Sequence, residues 1–279
     1  MPDTALKHII HLPEHKHWNE TFKGTGQISM AQEGIELSIE NRDKKYSNAQ
    51  IDDYRNLARR EFLWHPPLSL EVKSHFSRPT YQANLHSGIE SIDKDNTPLL
   101  GTAGIGFWND PFLMTGLRTP SLPKALWFFY ASPPSNMHTS IDLPGYGFKA
   151  ATIDAWKPAF LKYLPAMPLM PLLSSIPSFL PKVWPKVERS IACSEKLLTH
   201  NICESHTYKI DWLENHVDFH IDADKVFTSP YSIKGPLGLV IWLDNQYLRL
   251  TPRGQFSFGS LSLQAKQSLF LDSIKITTL

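Results

Sequence analysis

The chain has 279 residues, with 28 Lys and Arg against 27 Asp and Glu, 12 His, 22 Pro, 8 Trp and 2 Cys. A formal charge of +1 supplies no basic field, so non-specific binding to a phosphate backbone is excluded and no nucleic-acid partner is expected. Hydrophobic residues make up 42% of the chain, enough for a large core, which rules out wholesale disorder. Proline, at about 8% against a usual ~5%, cannot join a central ladder or sit inside a helix, so the chain must have many turns and edges.

The N-terminal stretch MPDTALKHIIHLPEHKHW has no apolar run and no small-residue cleavage site of the kind that marks a signal peptide. No window of about 18 uncharged apolar residues is present, so the expectation is a cytoplasmic protein without a membrane span. His8, His11, His15 and His17 crowd this stretch without the His-x-x-x-His spacing around a Glu that holds zinc in proteases. Strand patterns follow. Residues 35–40 alternate, and so do 68–76, where Leu68, Leu70 and Val72 share a face. Residues 100–108 (LGTAGIGFW) are rich in glycine, which inside a strand signals a bulge or a close backbone approach. The run ALWFFYAS (125–132) reads as a central strand, presenting either Trp127 and Phe129 or Phe128 and Tyr130 to a cleft. Further strands are read at 208–212, 216–222, 238–244 and 246–251, and in the closing SLFLDSIKITTL. Pro66-Pro67, Pro133-Pro134, Asp222-Ala-Asp and Thr-Pro-Arg-Gly (251–254) mark turns between them. Many short strands at roughly 10-residue intervals predict one all-β domain over 1–279, an antiparallel jelly-roll sandwich.

One segment breaks the rhythm. Residues 153–192 carry prolines at 158, 165, 168, 171, 177, 181 and 185, separated almost only by Leu, Met, Phe, Ala and Trp. This reads as a Pro-rich helical insertion of two or three short helices. It would form a hydrophobic lid over a pocket, or else a satellite core or dimer contact. Lys157, Lys162, Lys182, Lys186 and Arg189 also allow membrane-surface contact through 156–190, ranked below the other two readings.

The order of strands in HTYKIDWLENHVDFHIDADKVFTSP (206–230) and GPLGLVIWLDNQYLRLTPRGQFSFG (235–259) resembles the late strands of concanavalin A-like glucanases. Family 16 glycoside hydrolases, the laminarinases and their relatives, are the nearest named group. GTAGIGFW and LSLEVKSHFS are similar to two earlier strands of that family, so the resemblance covers roughly 35–150 and 205–279. It implies the jelly-roll fold. It also implies a Glu-x-Asp-x-x-Glu on the next inner strand, with a nucleophile and general acid for a retaining mechanism. Here that strand is ALWFFYASPPS, which has no acid, and the motif is absent from the chain.

What remains is aromatic. Trp64, Trp108, Trp127, Phe129 and Trp242 lie in or near strand ends, where aromatic residues either fill a core or line a cleft. Polar candidates are Gln50 beside Asp52 and Asp53, Asn109 and Asp110 after Trp108, and Asp244, Asn245, Gln246 and Tyr247 after GLVIWL. Asp110 precedes Pro111 and is expected to be extended. His206, with a neutral-range pKa, and His65 are acid/base candidates. Asp218, His220 and Asp222 share one strand face that reads first as a solvated surface. No cofactor or metal is called for. Asp93-Lys-Asp95 and Asp222-Ala-Asp224 are the places where a structural calcium would sit, and Cys193 and Cys203 are spaced for either a bridge or two thiols.

Three functions are compatible with these residues. The favoured one is an intracellular enzyme or binder for an apolar small molecule, polyketide-, terpenoid- or lipid-like. It would promote cyclisation, isomerisation or elimination with Asp110, Asp244 or His206 moving the proton, and with Tyr247, Asn109 and Gln50 orienting the ligand. The alternatives are a glycoside hydrolase-like protein with a relocated acid pair and a lectin-like carbohydrate binder.

Overall fold

A computed structural model describes residues 18–31, 34–81, 97–111, 118–137, 143–162, 182–183, 186, 189–250 and 256–279. In chain order the first strands are β1 (Asn19–Lys23), β2 (Gln27–Ala31), β3 (Gly34–Ile39), β4 (Asn48–Asp52), β5 (Leu68–Phe76), β6 (Thr102–Trp108) and β7 (Lys124–Ala131). Then come β8 (Asn136–Met137), β9 (Gly147–Asp154), a short helix α1 (Pro158–Leu161), β10 (Ala192–Leu198), β11 (His206–Trp212) and β12 (Val217–Ile221). The last are β13 (Asp224–Ser229), β14 (Gly238–Asp244), β15 (Gln246–Leu250), β16 (Phe256–Ser260) and β17 (Gln267–Thr278).

Two seven-stranded antiparallel sheets face each other. The first runs β1-β4-β14-β6-β7-β9-β10 and the second β13-β12-β11-β5-β17-β3-β2, while β16-β15-β8 form a small third sheet. The core lies between the large sheets and follows the period-2 pattern: Leu68, Leu70 and Val72 of β5, Tyr208, Ile210 and Trp212 of β11, and Val217, Phe219 and Ile221 of β12 all point inward. From the first sheet, Ile105 and Phe107, Phe128 and Tyr130, and Leu239, Ile241 and Leu243 meet them. The buried Trp212 indole satisfies its N–H by donating to the Ile233 carbonyl at 3.0 Å, and the Tyr130 hydroxyl donates to the Leu99 carbonyl at 2.7 Å.

The last strand solves a phase problem. Its inward residues are Leu269 and Leu271, then Ile274 and Ile276, so strict alternation fails at Asp272-Ser273. A bulge lies there: Leu271 pairs with Ser74 and Ser273 with Lys73. The extra residue restores the apolar set to the core face, where an unbulged strand would send Ile274 and Ile276 to solvent.

The jelly-roll sandwich expected from the sequence is therefore present, and the predicted strands are found within a few residues. The insertion needs trimming. Position 153 belongs to β9, which runs to Asp154, and position 192 opens β10, so the Pro-rich stretch connects two hydrogen-bonded neighbours. α1 begins with Pro158 at its first turn, as expected of a proline whose missing N–H costs nothing there. Residues 163–181, the central part of the segment read as a lid, lie outside the described residues, as do His8 to His17 and the Asp93-Lys-Asp95 turn. No described helix is long and apolar enough to cross a membrane. Cys193 and Cys203 are not bridged to each other.

Trp212 heads the fully buried side chains by volume. Its replacement by Ala is expected to cost about 3–5 kcal/mol in urea unfolding; a loss under about 1 kcal/mol would show that the indole does not hold the two sheets together.

Candidate functional site

The first sheet is buried on both faces along β14, β6 and β7, which is why those strands read as nearly continuous apolar runs. The residues alternating with the core set form a second cluster on the opposite face: Trp108, Trp242, Val240 and Ala125, packed with Trp127 and Phe129. Trp108 and Trp242 stack with centroids 5.7 Å apart and planes 10° apart, and Trp127 stacks on Phe129 at 5.4 Å and 23°. Glycine makes this possible. Trp242 and Phe129 both pair with Gly104 across the sheet. A Cβ on Gly104 would sit 2.2 Å from the Trp242 ring. The close approach read from GTAGIG is thus an indole lying over bare backbone.

The third sheet stands beside this aromatic face and encloses a cavity of about 400 Å³. Trp108, Trp127, Phe129 and Trp242 make the floor. Met137, Tyr247, Leu248 and Phe258 make the wall, and Thr102, Asp244 and Gln246 the polar end. The volume falls in the range of small-molecule sites, and so does the balance of many apolar groups to few polar ones.

Among the described residues, Asp244 is the one carboxylate in this lining. The Thr102 hydroxyl donates to its Oδ1 at 2.8 Å, joined by the backbone N–H groups of Gln246 at 3.0 Å and Thr102 at 3.3 Å. All three use Oδ1 and none uses Oδ2. The Trp242 indole N–H donates to Thr102 Oγ1 at 3.0 Å, so a chain of hydrogen bonds ties the floor to the acid. Gly101, at φ +99, holds the backbone beside the Asp244 carbonyl, where a side chain would collide. Burial pushes the Asp244 carboxyl up to about 6 against the pull of these donors, placing its titration near neutrality. Arranged this way, the group can give or take one proton at the polar end of an apolar cavity.

A smaller cavity of about 120 Å³ opens on the other side of the same Trp127, Phe129 and Met137. Its polar lining includes Lys149 of β9 and Glu195 of β10, which form an ion pair at 3.2 Å with both side chains buried. The two cavities share Trp127, Phe129 and Met137 in their linings and make up the candidate cleft, aromatic where they adjoin and polar or charged at the far end of each.

Of the residues singled out in the sequence, Trp108, Trp127, Phe129, Trp242, Asp244 and Tyr247 line this cleft. Others do not. Gln50 shares the outer face and pairs with Trp242 across the sheet, but it is fully buried, donating to Asp52 and to the Tyr54 hydroxyl. Asn109 ties loops together: its side chain donates to the Leu122 carbonyl and accepts from the Lys124 N–H. Asp110 is not extended but left-handed at φ +48. The Arg118 guanidinium grips its carboxylate at 2.9 Å and Arg59 grips its carbonyl at 2.7 Å, overriding the preference imposed by Pro111. Trp64 points its N–H to Asp53 and packs on Phe107 in the core. His206 lies on the other large sheet, pairing with Asp222 at 2.7 Å, and so cannot act with Asp244. Asp218 and His220 lie on that sheet's solvent face, within ion-pair networks with Lys225 and Asp211. His65 is exposed. Among the described residues no group of three or more His, Cys, Asp or Glu could hold a metal ion.

Sequence reasoning missed Thr102, Met137, Leu248, Phe258, Lys149 and Glu195. Thr102 carried no signal, because its place opposite Asp244 depends on strand pairing.

No family model and no curated relative matches the chain. Solved structures align along nearly its whole length at low identity. A glycoside hydrolase family 16 endo-glucanase from Bacteroides ovatus is 11% identical, covering 94% of this chain and 95% of its own, with a TM-score of 0.49. A Bacillus licheniformis β-glucanase is 10% identical over 97% and 98%, with a TM-score of 0.46. An endo-acting O-glycanase of the human gut microbiota is 10% identical over 100% and 94%, at 0.47. These are likenesses of fold alone.

Asp244→Asn keeps an oxygen for all three donors at Oδ1 and removes the proton. In the wild type, the unfolded chain releases this proton near the ordinary 3.8 while the folded chain holds it to about 6. The stability contributed by the group therefore falls as pH rises through that window and is constant above it. From pH 4 to pH 7 the wild type should lose roughly 2 kcal/mol relative to Asp244→Asn in urea unfolding. A gap that does not change with pH would place the carboxyl at its ordinary pKa.

Proposed function

We propose that the cleft binds a saccharide, with sugar rings laid on Trp127 and Phe129 and with Asp244 as the acid/base group at one end. The observation that carries this reading is an aromatic floor flanked by polar groups at both ends, Asp244 and Gln246 on one side and Lys149 and Glu195 on the other. A sugar chain offers apolar C–H faces to the rings and hydroxyls to the ends. A wholly apolar ligand of the same length would leave the buried Glu195 Oε1 unsatisfied.

The reading is of binding and single-proton chemistry rather than of two-carboxylate hydrolysis. β14 and β10 are separated by β6, β7 and β9, so Asp244 and Glu195 stand about four strand spacings apart, ~19 Å. A pair of carboxyls flanking a glycosidic bond needs about 5–9.5 Å. Among the described residues, no second acid joins Asp244 in the larger cavity.

The apolar wall of Met137, Leu248 and Phe258 favours a second reading. In it, a compact apolar molecule occupies only the larger cavity, and Asp244 promotes its cyclisation, isomerisation or elimination by protonation. Tryptophan fluorescence separates the two. Saturable quenching by cellotetraose, weakened about tenfold or more in Trp127→Ala, is expected if a sugar stacks on the floor. Saturable binding of N-phenyl-1-naphthylamine without any response to cellotetraose would overturn the saccharide reading in favour of the apolar one.

A further inference from the structure

The geometry points to a second polar subsite, at Lys149 and Glu195, that holds a neutral hydroxyl of the ligand by donating from Lys149 Nζ and accepting at Glu195 Oε1. This rests on the saccharide reading and specifies how its far end is held. Lys149 donates to Glu195 Oε2 at 3.2 Å, and the two side chains are only 5% and 6% exposed. Glu195 Oε1 is buried with no hydrogen-bond partner. A buried carboxylate oxygen left unsatisfied costs about 1–3 kcal/mol or more, a penalty that a fitting donor removes. Both residues line the smaller cavity, which shares Trp127 and Phe129 with the larger one.

The pair also selects the chemistry of what it holds. A phosphate or carboxylate would meet Glu195, and an ammonium would meet Lys149, each with a like charge in a poorly solvated place. A hydroxyl carries one donor and two lone pairs, so it can satisfy the carboxylate and the ammonium at once without net charge. Bonds of this kind to charged partners are the stronger class. β9 and β10 set the spacing: Lys149 pairs with Leu197 and Ala151 with Glu195, so the two charged residues are diagonal neighbours on one face.

The test is isothermal titration of the full chain with cellotetraose, which reaches both ends of the cleft, and with cellobiose, which fits the larger cavity alone. Glu195→Gln puts an N–H in place of one acceptor, and Lys149→Met removes the donor. Each is expected to weaken cellotetraose by about tenfold or more, the loss of a hydrogen bond to a charged group. Cellobiose should change by less than about twofold. The double variant Lys149→Met/Glu195→Leu replaces the pair by apolar groups and supplies the same comparison if either single variant fails to fold. Binding of cellotetraose unchanged in these variants overturns the subsite and leaves the saccharide reading standing. Equal losses for both sugars also overturn it, because they show a structural role. Absence of binding of either sugar to the wild type overturns the saccharide reading and the subsite together.

Discussion

The indole of Trp242 lying on the bare backbone of Gly104 is the contact on which the site depends. Two layers of aromatic side chains flank the first sheet, one in the sandwich core and one outside it. The outer layer closes only because the neighbouring strand presents glycines where side chains would otherwise stand. With the ring seated there, Trp108 can stack against it and Trp127 can pack at 5.5 Å, and the indole N–H reaches Thr102. Thr102 in turn places its hydroxyl on Asp244. A chain of ordinary local contacts thus fixes an acid at the edge of an aromatic floor.

Sheets covered on one face alternate apolar and polar residues, and sheets covered on both do not. The second large sheet shows the first behaviour, with Lys209, Asp211, Asp218 and His220 outside and Tyr208, Ile210 and Phe219 inside. The first sheet shows the other. Its outer face carries polar residues near the β1 edge, where Thr21, Gln50 and Asp52 bond one another, and an ion pair near the β10 edge, with aromatics between. Polar borders around an apolar centre are the pattern of a surface that receives something.

Much of the fold was legible in the chain because period-2 alternation needs only neighbouring residues. Val72, Phe219 and Ile210 betrayed their strands in this way, and ALWFFYAS betrayed a strand buried on both sides. β8, with only two residues, is too short to show a period. β4 was concealed because its inward residues, Ala49 and Ile51, alternate with Asn48, Gln50 and Asp52, which read as a polar loop. At the site, aromatic residues were found because size and apolarity are visible in any sequence. Asp110 and His206 were misplaced for the opposite reason. A carboxylate or imidazole at a strand end looks the same whether it serves a turn, a clamp or a cavity, and only Arg118 and Asp222 decide it. Lys149 and Glu195 stood in separate strands whose adjacency no spacing in the sequence reveals.

The hydrogen-bonded path from Trp242 through Thr102 to Asp244 gives the protein a built-in optical reporter. An indole N–H held by a hydroxyl that itself bonds a carboxyl feels whether that carboxyl is charged. The charge of Asp244 is thereby coupled to the surroundings of one indole in the aromatic cluster.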